Sequence, residues 1–311
     1  MRVDVIIRTY NPRPDYLRRV LQSIREQKYL TDIPDVQVTV VDNNSPKESA
    51  EEIQHLSGEF GFRLLQEKNQ GSIHAYIRGI HETNADLLIW PDDDTVLAPT
   101  YIDEAIKIYH EKPYVGVWGG SIRLELEKPV PGYIRPHLSL LTECAVDREE
   151  WSNYRNCPSI AGAGFCVRRC VANKYIENYN SSPILRITGR TDKNLFSGED
   201  WVFCLSATDI GLAVGRFPEL SLVHLIPERR TNEDYLLKVS EGHAFSLQVV
   251  HAVRGFSLVD FRLKEQYWDL WLRNVFKPSF DKKIKLARIS GFIKGLKYVK
   301  EQNMGKVKND F

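Results

Sequence analysis

The chain has 311 residues, of which 42% are apolar and 27% charged, a balance typical of a globular protein with a sizeable core. Its net charge of +1 excludes a protein that binds nucleic acid through a dominant basic face, so no nucleic-acid partner is expected. The chain has neither an uninterrupted apolar stretch of about 18 residues nor a basic start followed by an apolar core. We therefore expect no membrane-spanning helix and no signal peptide.

The cysteines indicate the redox compartment. There are five of them, an odd number, and none has CxxC spacing. That pattern predicts reduced thiols in a cytoplasmic protein. The five residues are Cys144, Cys157, Cys166, Cys170 and Cys204.

The first 120 residues alternate between strand and helix patterns. The strands are predicted at residues 3–8, 36–41, 62–66, 86–90 and 115–118. Between them, apolar residues recur at helical spacing, as in Leu17, Val20, Leu21 and Ile24. Such alternation implies right-handed crossovers, and hence an α/β fold with a mostly parallel sheet flanked by helices.

Polar residues follow each of the first four strands. They occupy residues 8–11, 42–45, 68–71 and 92–94. Ligands of parallel sheets collect outside the carboxyl ends of the strands. The sequence therefore predicts a polar-lined cleft along one edge of the sheet.

Three consecutive carboxylates, Asp92, Asp93 and Asp94, follow the fourth strand directly. Such neighbours repel one another unless a cation neutralises them. Asp92 and Asp94 are two positions apart, so both can lean to one side of an extended segment. A hard divalent cation can bind to a small number of protein oxygens when phosphate oxygens complete its coordination shell. The alternative is a solvated loop whose acids only precede the next helix.

The pattern loosens after residue 120, where prolines punctuate a loop-rich region. Gly198-Glu199-Asp200 opens a predicted helix that extends to about residue 210, and residues 220–224 form a predicted strand that ends at His224. A single long helix is predicted over residues 232–254.

Taken in order, these motifs resemble those of a family 2 glycosyltransferase with the GT-A fold, over roughly residues 3–225. The first strand and the Arg-Thr-Tyr-Asn turn at 8–11 resemble the opening of the family, and Val-Asp-Asn-Asn-Ser at 41–45 resembles its second strand. Trp-Pro-Asp-Asp-Asp at 90–94 resembles the DXD element, and Gly-Glu-Asp at 198–200 resembles the ED element.

The resemblance implies an inverting, metal-dependent enzyme that moves a sugar from a nucleotide-diphosphate sugar, by default a UDP-sugar, to a glycan or a lipid-linked acceptor. It implies three domain parts: 1–120 binds the nucleotide-sugar, 121–231 binds the acceptor within the same domain, and 232–311 is a helical extension. Polysaccharide biosynthesis is the default role.

The resemblance also assigns roles to residues. Asp200 is the expected general base, with Glu199 beside it, and Asp94, Asp92 and His224 are the expected ligands of Mn²⁺ or Mg²⁺. The remaining candidates are expected to bind the nucleotide-sugar: Thr9, Tyr10, Asn11, Asp42, Asn69, Gly71, Arg78, Asp92 and Asp93.

The sequence departs from the family pattern at one position, and two other protein classes are alternatives to this prediction. The family often has Ala-x-Asn-x-Gly on the helix after the third strand, whereas this chain has Ile77 at the Asn position. A sugar-nucleotide pyrophosphorylase would need a glycine-rich basic loop after the first strand, where this chain has Thr-Tyr-Asn-Pro. A non-catalytic nucleotide-sugar-binding protein would not need both acidic clusters, Asp92–Asp94 and Glu199–Asp200.

The C-terminal region is basic. Residues 262–311 contain 13 Lys/Arg and 5 Asp/Glu, a balance of +8 that leaves −7 for residues 1–261. Within 281–300 an apolar stripe is predicted, formed by Ile289, Phe292, Ile293, Leu296 and Val299. One interpretation is peripheral contact with an anionic membrane on the cytoplasmic face. The other is a helix that packs on the protein and leaves its basic face solvated.

Overall fold

The computed structural model describes residues 1–30, 35–154, 160–181, 197–255, 258, 263–276 and 279–302. The strands are β1 (Arg2–Thr9), β2 (Asp35–Asp42), β3 (Arg63–Gln66), β4 (Leu87–Trp90), β5 (Thr95–Leu97), β6 (Val115–Leu126), β7 (Glu150–Ser152), β8 (Phe165–Arg168) and β9 (Ala213–Ile226). The helices are α1 (Pro14–Arg25), α2 (Lys47–Phe60), α3 (Ser72–Glu82), α4 (Tyr101–Glu111), α5 (Arg169–Ser181), α6 (Glu199–Asp209), α7 (Glu233–Val253), α8 (Leu263–Phe276) and α9 (Phe280–Glu301).

Within the described residues these strands form one open, mixed sheet, in the order β3-β2-β1-β4-β8-β6-β9-β5, with β7 paired to β9. The pairs β3–β2, β2–β1 and β1–β4 are parallel, as is β6–β9. The other pairs are antiparallel. The predicted α/β fold class is confirmed, and the continuous parallel part is the half formed by the first four predicted strands.

The parallel strands are apolar because helices cover both faces of the sheet. Val5, Ile6 and Ile7 of β1 are all completely buried, although successive side chains point to opposite faces. The predicted apolar face of α1, which begins at Pro14 as helices often do, packs in the same core. This packing fixes the positions of the strand ends.

Five elements had no sequence prediction: β5, β7, β8, α5 and α8. Strands β5 and β7 have three residues each, too few for a periodic pattern. Strand β8 and helix α5 follow the glycine-rich loop at 161–164, a composition that favours a loop prediction. Strand β8 nevertheless pairs with β4 from Leu87↔Arg168 to Trp90↔Phe165.

The chain divides into two compact units. The first comprises Met1–Glu127, Thr142–Asn178 and Glu199–Ile226. The second comprises the described parts of Lys128–Leu141, Tyr179–Gly198 and Pro227–Phe311. The expected boundary at 120/121 falls inside β6, so the two predicted halves share one continuous strand.

Helix α9 packs on α7 within the second unit. Phe292, Leu296 and Val299 of the predicted apolar stripe are buried. Ile289 and Ile293 pack against the cluster that contains Phe292 and Leu296. The structure therefore corrects the interpretation in which this stripe enters a membrane, because its side chains already bury their apolar surface against a helix. No helix among the described residues has the length and apolarity needed to cross a bilayer.

Among the described cysteines, Cys144, Cys166 and Cys170 are free thiols, and Cys204 is buried. Cys157 lies outside the described residues.

Candidate functional site

The candidate site lies at the carboxyl ends of β1, β2 and β4. Thr9 and Asp42 end their strands in register as neighbours in the parallel ladder. Asp92, just beyond β4, pairs with Arg8 through an isolated parallel bridge. The strand order thus brings residues from three separate chain segments to one edge, as the sequence predicted.

Asp42, Asn69 and Gly71 are linked by Asn43. The Asn43 side-chain oxygen accepts from the Gly71 amide at 2.7 Å, and its nitrogen donates to the Asn69 carbonyl at 2.7 Å. The buried Asp42 carboxylate accepts from the Ser45 amide at 3.1 Å. Asn43 therefore fixes the turn before α3 against the end of β2, a role that was not predicted from the sequence.

The turn after β1 provides three more predicted residues. Thr9 donates its hydroxyl to the Asp93 carboxylate at 2.5 Å. Tyr10 is half-buried, and Asn11 has a left-handed φ of 48° while its amide donates to Ser45 Oγ at 2.9 Å. Asparagine tolerates this conformation better than most residues, so the first and second strand ends are held together by a short, defined turn.

Asp94 and His224 come together although 130 positions separate them in the sequence. Because Thr95 pairs with His224 in the β5–β9 ladder, Asp94 lies beside the histidine, and His224 Nε2 is 3.3 Å from Asp94 Oδ1. The other ring nitrogen, Nδ1, is 3.2 Å from the hydroxyl of Thr142. A contact at Nδ1 orients the imidazole and leaves Nε2 directed at the carboxylate.

The donor set of this pair fits a divalent cation. One carboxylate and one imidazole suit Mn²⁺ or Mg²⁺ when other oxygens complete the shell. Among the described residues, no group of three or more His, Cys, Asp or Glu side chains has the geometry of a metal site. Asp92, the third predicted ligand, bonds Arg8 in this structure.

Glu199 and Asp200 begin helix α6, and both side chains have defined surroundings. Ser72 Oγ donates to the Glu199 carboxylate, which ties the start of α3 to the start of α6. Asp200 Oδ1 accepts from the Trp201 amide at 2.8 Å. A Cβ placed on Gly162 would lie 3.7 Å from both Asp200 Oδ2 and the Tyr76 hydroxyl, so this carboxylate lies beside the glycine loop.

Tyr76 is a member of the site that had no sequence prediction, and Arg8, although part of the predicted polar run at 8–11, was given no role of its own. Arg8 Nη2 is 2.5 Å from Asp92 Oδ1, and the guanidinium carbon lies 3.7 Å from the centroid of the Tyr76 ring. Burial lowers the pKa of Arg8, but Tyr76, Asp92 and Glu199 raise it by more, so the net shift is upward. A single Arg at the end of an apolar strand was the only sequence signal.

Tyr76 occupies the middle of the site. Its side chain is buried, and this burial raises its pKa well above the usual value. Arg8 opposes that upward shift, whereas Asp92, Glu199 and Asp200 add to it. The Tyr76 side chain therefore interacts electrostatically with acidic residues of both clusters, Asp92–Asp94 and Glu199–Asp200.

Arg78, another predicted site residue, lies on α3 beyond Tyr76. It forms an ion pair with Glu82 at 3.0 Å, one turn further along α3. Ser72 and Tyr76, which do reach the site, lie nearer the start of the helix. Arg78 is therefore directed towards the carboxyl end of α3.

Comparison with known proteins agrees with this arrangement. Residues 4–153 match the model of the family "Glycosyl transferase family 2". The chain contains a family 2 glycosyltransferase domain. The glycosyltransferase domain includes the strand ends that bear Asp42 and Asp92–Asp94, whereas Asp200 and His224 lie beyond the matched residues.

Curated relatives match parts of this chain. An N-acetylglucosaminyltransferase of Sinorhizobium fredii (strain NBRC 101917 / NGR234) is 36% identical over 124 residues, which are 39% of this chain and 29% of the relative. A dolichol-phosphate mannosyltransferase of Pyrococcus furiosus is 30% identical over 111 residues, 34% of this chain and 30% of the relative. The matched segments thus span less than a third of these relatives' lengths.

Solved structures support the GT-A fold. S. aureus TarS 1–349 in complex with UDP-GlcNAc has a TM-score of 0.52 at 13% identity, covering 97% of this chain and 92% of that one. The mannosyltransferase PcManGT from Pyrobaculum calidifontis, in complex with GDP-Man and Mn²⁺, has a TM-score of 0.53 at 16% identity, covering 94% and 86%. At these identities the likeness concerns the fold.

Proposed function

We propose that this protein transfers a sugar from a nucleotide-diphosphate sugar, a UDP-sugar by default, to a hydroxyl group of a glycan or a lipid-linked acceptor. The observation that supports this most is the 3.3 Å approach of His224 to Asp94 in the same unit that contains Asp200 beside the glycine loop. The Asp94–His224 pair suits a cation that binds diphosphate, and the Asp200 carboxylate suits a general base.

The donor binds at the ends of β1 and β2. Asp42 recognises the base or ribose through its carboxylate, and Thr9, Tyr10 and Asn11 form the wall beside it. Asn69 and Gly71 border the same turn, which Asn43 holds in place. Asp92 and Asp93 lie next along the edge, where hydroxyl groups of ribose or of the transferred sugar would meet carboxylate acceptors.

Asp94 and His224 would hold Mn²⁺ or Mg²⁺. When bound, the cation supplies Lewis-acid stabilisation of the departing diphosphate. Mn²⁺ suits the imidazole somewhat better than Mg²⁺ does. The PcManGT complex with GDP-Man and Mn²⁺ supports a divalent cation for a protein of this fold.

Asp200 acts as the general base and removes the proton of the acceptor hydroxyl. Attack from the face opposite the leaving group inverts the anomeric centre. Glu199, tied to Ser72, holds the start of α6 in position. The position of Asp200 at the first turn of a helix also stabilises its negative charge.

The two other protein classes receive less support. A pyrophosphorylase would need a basic, glycine-rich loop directly after β1, and this chain has the left-handed Asn11 and Pro12 there. A non-catalytic nucleotide-sugar-binding protein would have no use for a carboxylate at Asp200 as well as the Asp94–His224 pair.

We further propose peripheral contact with anionic lipid on the cytoplasmic face, consistent with a lipid-linked acceptor. Because the apolar stripe of α9 is buried, the contact uses exposed apolar side chains of α8, where Trp268, Trp271 and Leu272 are 58%, 43% and 53% exposed. Tryptophan is favoured at membrane–water interfaces. Exposed basic residues of α9, such as Lys285 and Arg288, supply the charge.

Titration calorimetry with UDP and GDP, each with and without MnCl₂, tests the donor site. We expect one of the two nucleotides to bind tightly only when Mn²⁺ is present. Binding of neither nucleotide would contradict the proposed function, and equal binding with and without the cation would contradict its metal dependence.

A further inference from the structure

The guanidinium of Arg8 is a buried positive charge between the two acidic clusters. Its side chain is only 14% exposed. It forms an ion pair with Asp92, and its Nε, also buried, has no hydrogen-bond acceptor among the described residues. Burying an arginine without full hydrogen bonding costs free energy, so its presence here needs a reason beyond packing.

Tyr76, Asp92 and Glu199 are among the neighbours of this charge. The face of the Tyr76 ring lies 3.7 Å from the guanidinium carbon, a favourable cation–π distance. Asp92 accepts its hydrogen bond, and Glu199 attracts it electrostatically. Arg8 therefore interacts with the first residue of the Asp92–Asp94 run and also with the acid that precedes Asp200.

The geometry suggests what this arrangement does. Asp92 begins the acidic turn that also bears Asp94, and Thr95 closes that turn by donating both its amide and its hydroxyl to the Asp92 carbonyl. A carboxylate fixed by a planar, permanently charged guanidinium keeps one orientation. The Tyr76 ring fixes the guanidinium in turn, because aromatic contacts hold the ring itself, notably with Trp90 at 4.8 Å.

We propose that Arg8 is a positioning residue of the donor site, which holds the Asp92 carboxylate in one orientation. This inference rests on the proposed function, because the donor that Asp92 meets is the nucleotide-sugar. It goes beyond it by assigning a role to a residue on β1 that the proposed function leaves without one.

Donor binding gives the first test, with Arg8→Gln and Arg8→Lys as the variants. Arg8→Gln removes the positive charge and should therefore weaken the binding of UDP in the presence of MnCl₂ at least about tenfold. This is the effect expected when a charge-assisted hydrogen bond is lost. The donor KM should rise more than kcat falls. Arg8→Lys keeps the charge and should recover part of the affinity.

Arg19→Gln is the matched control. Arg19 also pairs with a carboxylate, Glu125 at 2.6 Å, but both partners are about half exposed on the surface. This variant should bind UDP as the wild-type protein does. Equal affinities of Arg8→Gln and wild type would overturn the proposal, and so would a Lys variant no better than the Gln variant.

A thermodynamic cycle without ligand gives the second test, from the melting temperatures of Arg8→Gln, Asp92→Asn and the double variant. Because the two side chains interact directly, the double variant should lose less stability than the two single variants together. Additive losses would overturn the proposal. If the wild type binds neither UDP nor GDP, the proposed function fails, and this cycle alone decides whether Arg8 holds Asp92.

Discussion

At the scale of single residues, the candidate site depends on carboxylates with different surroundings. Asp94 lies against an imidazole, Asp92 against a guanidinium, and Asp200 beside a glycine loop. Since the partner of a carboxylate determines what it can bind, these three residues are expected to have three separate functions.

Asp94→Ala should abolish sugar transfer and Mn²⁺-dependent nucleotide binding while the fold stays intact. The fold should tolerate the change because the variant removes one of several neighbouring carboxylates that repel one another. Calorimetry with UDP and MnCl₂ measures the loss, and circular dichroism checks the fold. Asp86→Ala is the matched control, because Asp86 precedes the same strand at its other end and bonds the Arg2 amide. Wild-type turnover of Asp94→Ala would exclude Asp94 as a ligand.

Asp200→Asn should lower the transfer rate by roughly 10²–10⁴, the usual contribution of a general base. Donor affinity should hardly change, because the base acts on the acceptor. Steady-state kinetics with varied donor concentration separates the two effects. Asp209→Asn, at the far end of the same helix, should behave as wild type. Loss of donor binding by Asp200→Asn would instead assign this residue to the donor side.

At the scale of elements, the sequence predicts those parts of the fold that follow a local pattern. Buried parallel strands are continuous apolar runs, so β1, β2 and β4 were evident, and so were the polar residues that follow them. The Asp94–His224 contact depends on β5 pairing with β9, and β5 has only three residues. The Arg8–Tyr76 contact joins a strand to a helix across 68 positions, for which no spacing rule exists.

The close approach of β6 to β9 gives a stability prediction. A Cβ on Gly120 would lie 1.9 Å from the Leu220 carbonyl oxygen, so Gly120→Ala must displace backbone and should cost roughly 2–3 kcal/mol of unfolding free energy. Gly58→Ala should instead stabilise by about 1 kcal/mol, because Gly58 lies inside α2 with open space around it. Urea unfolding measures both. Equal effects of the two substitutions would contradict the packing described here.

At the scale of the whole molecule, the second unit shows why a charge pattern alone did not determine the role of the C-terminal region. An apolar stripe on a basic helix is compatible with a membrane or with another helix, and only the tertiary structure distinguishes them. Gly291 and Gly295 let α9 approach α7 closely, since a Cβ on Gly291 would lie 2.2 Å from the Glu241 carbonyl oxygen. The apolar stripe of α9 is therefore buried against α7.

Membrane contact through α8 predicts that the full-length protein cosediments with vesicles of phosphatidylcholine and phosphatidylserine at low salt. High salt should release it, because salt screens the attraction to anionic lipid. The double variant Trp268→Ser/Trp271→Ser should bind more weakly, since both rings are exposed. Tyr154→Ser, which removes another exposed aromatic ring, is the control. Equal sedimentation of both variants with the vesicles would exclude α8 as the contact.

The central claim is that Asp42, Asp92–Asp94 and His224 of the sheet, together with Asp200 at the start of α6, form the active site of an inverting sugar transferase. Its most direct test is hydrolysis of a panel of UDP- and GDP-sugars in the presence of MnCl₂, followed by proton NMR of the first sugar released. With water in place of the acceptor, the account predicts turnover of at least one donor, release of the anomer opposite to that of the donor, and loss of turnover with EDTA. Release of the retained anomer, or no turnover of any donor with Mn²⁺ or Mg²⁺, would contradict it.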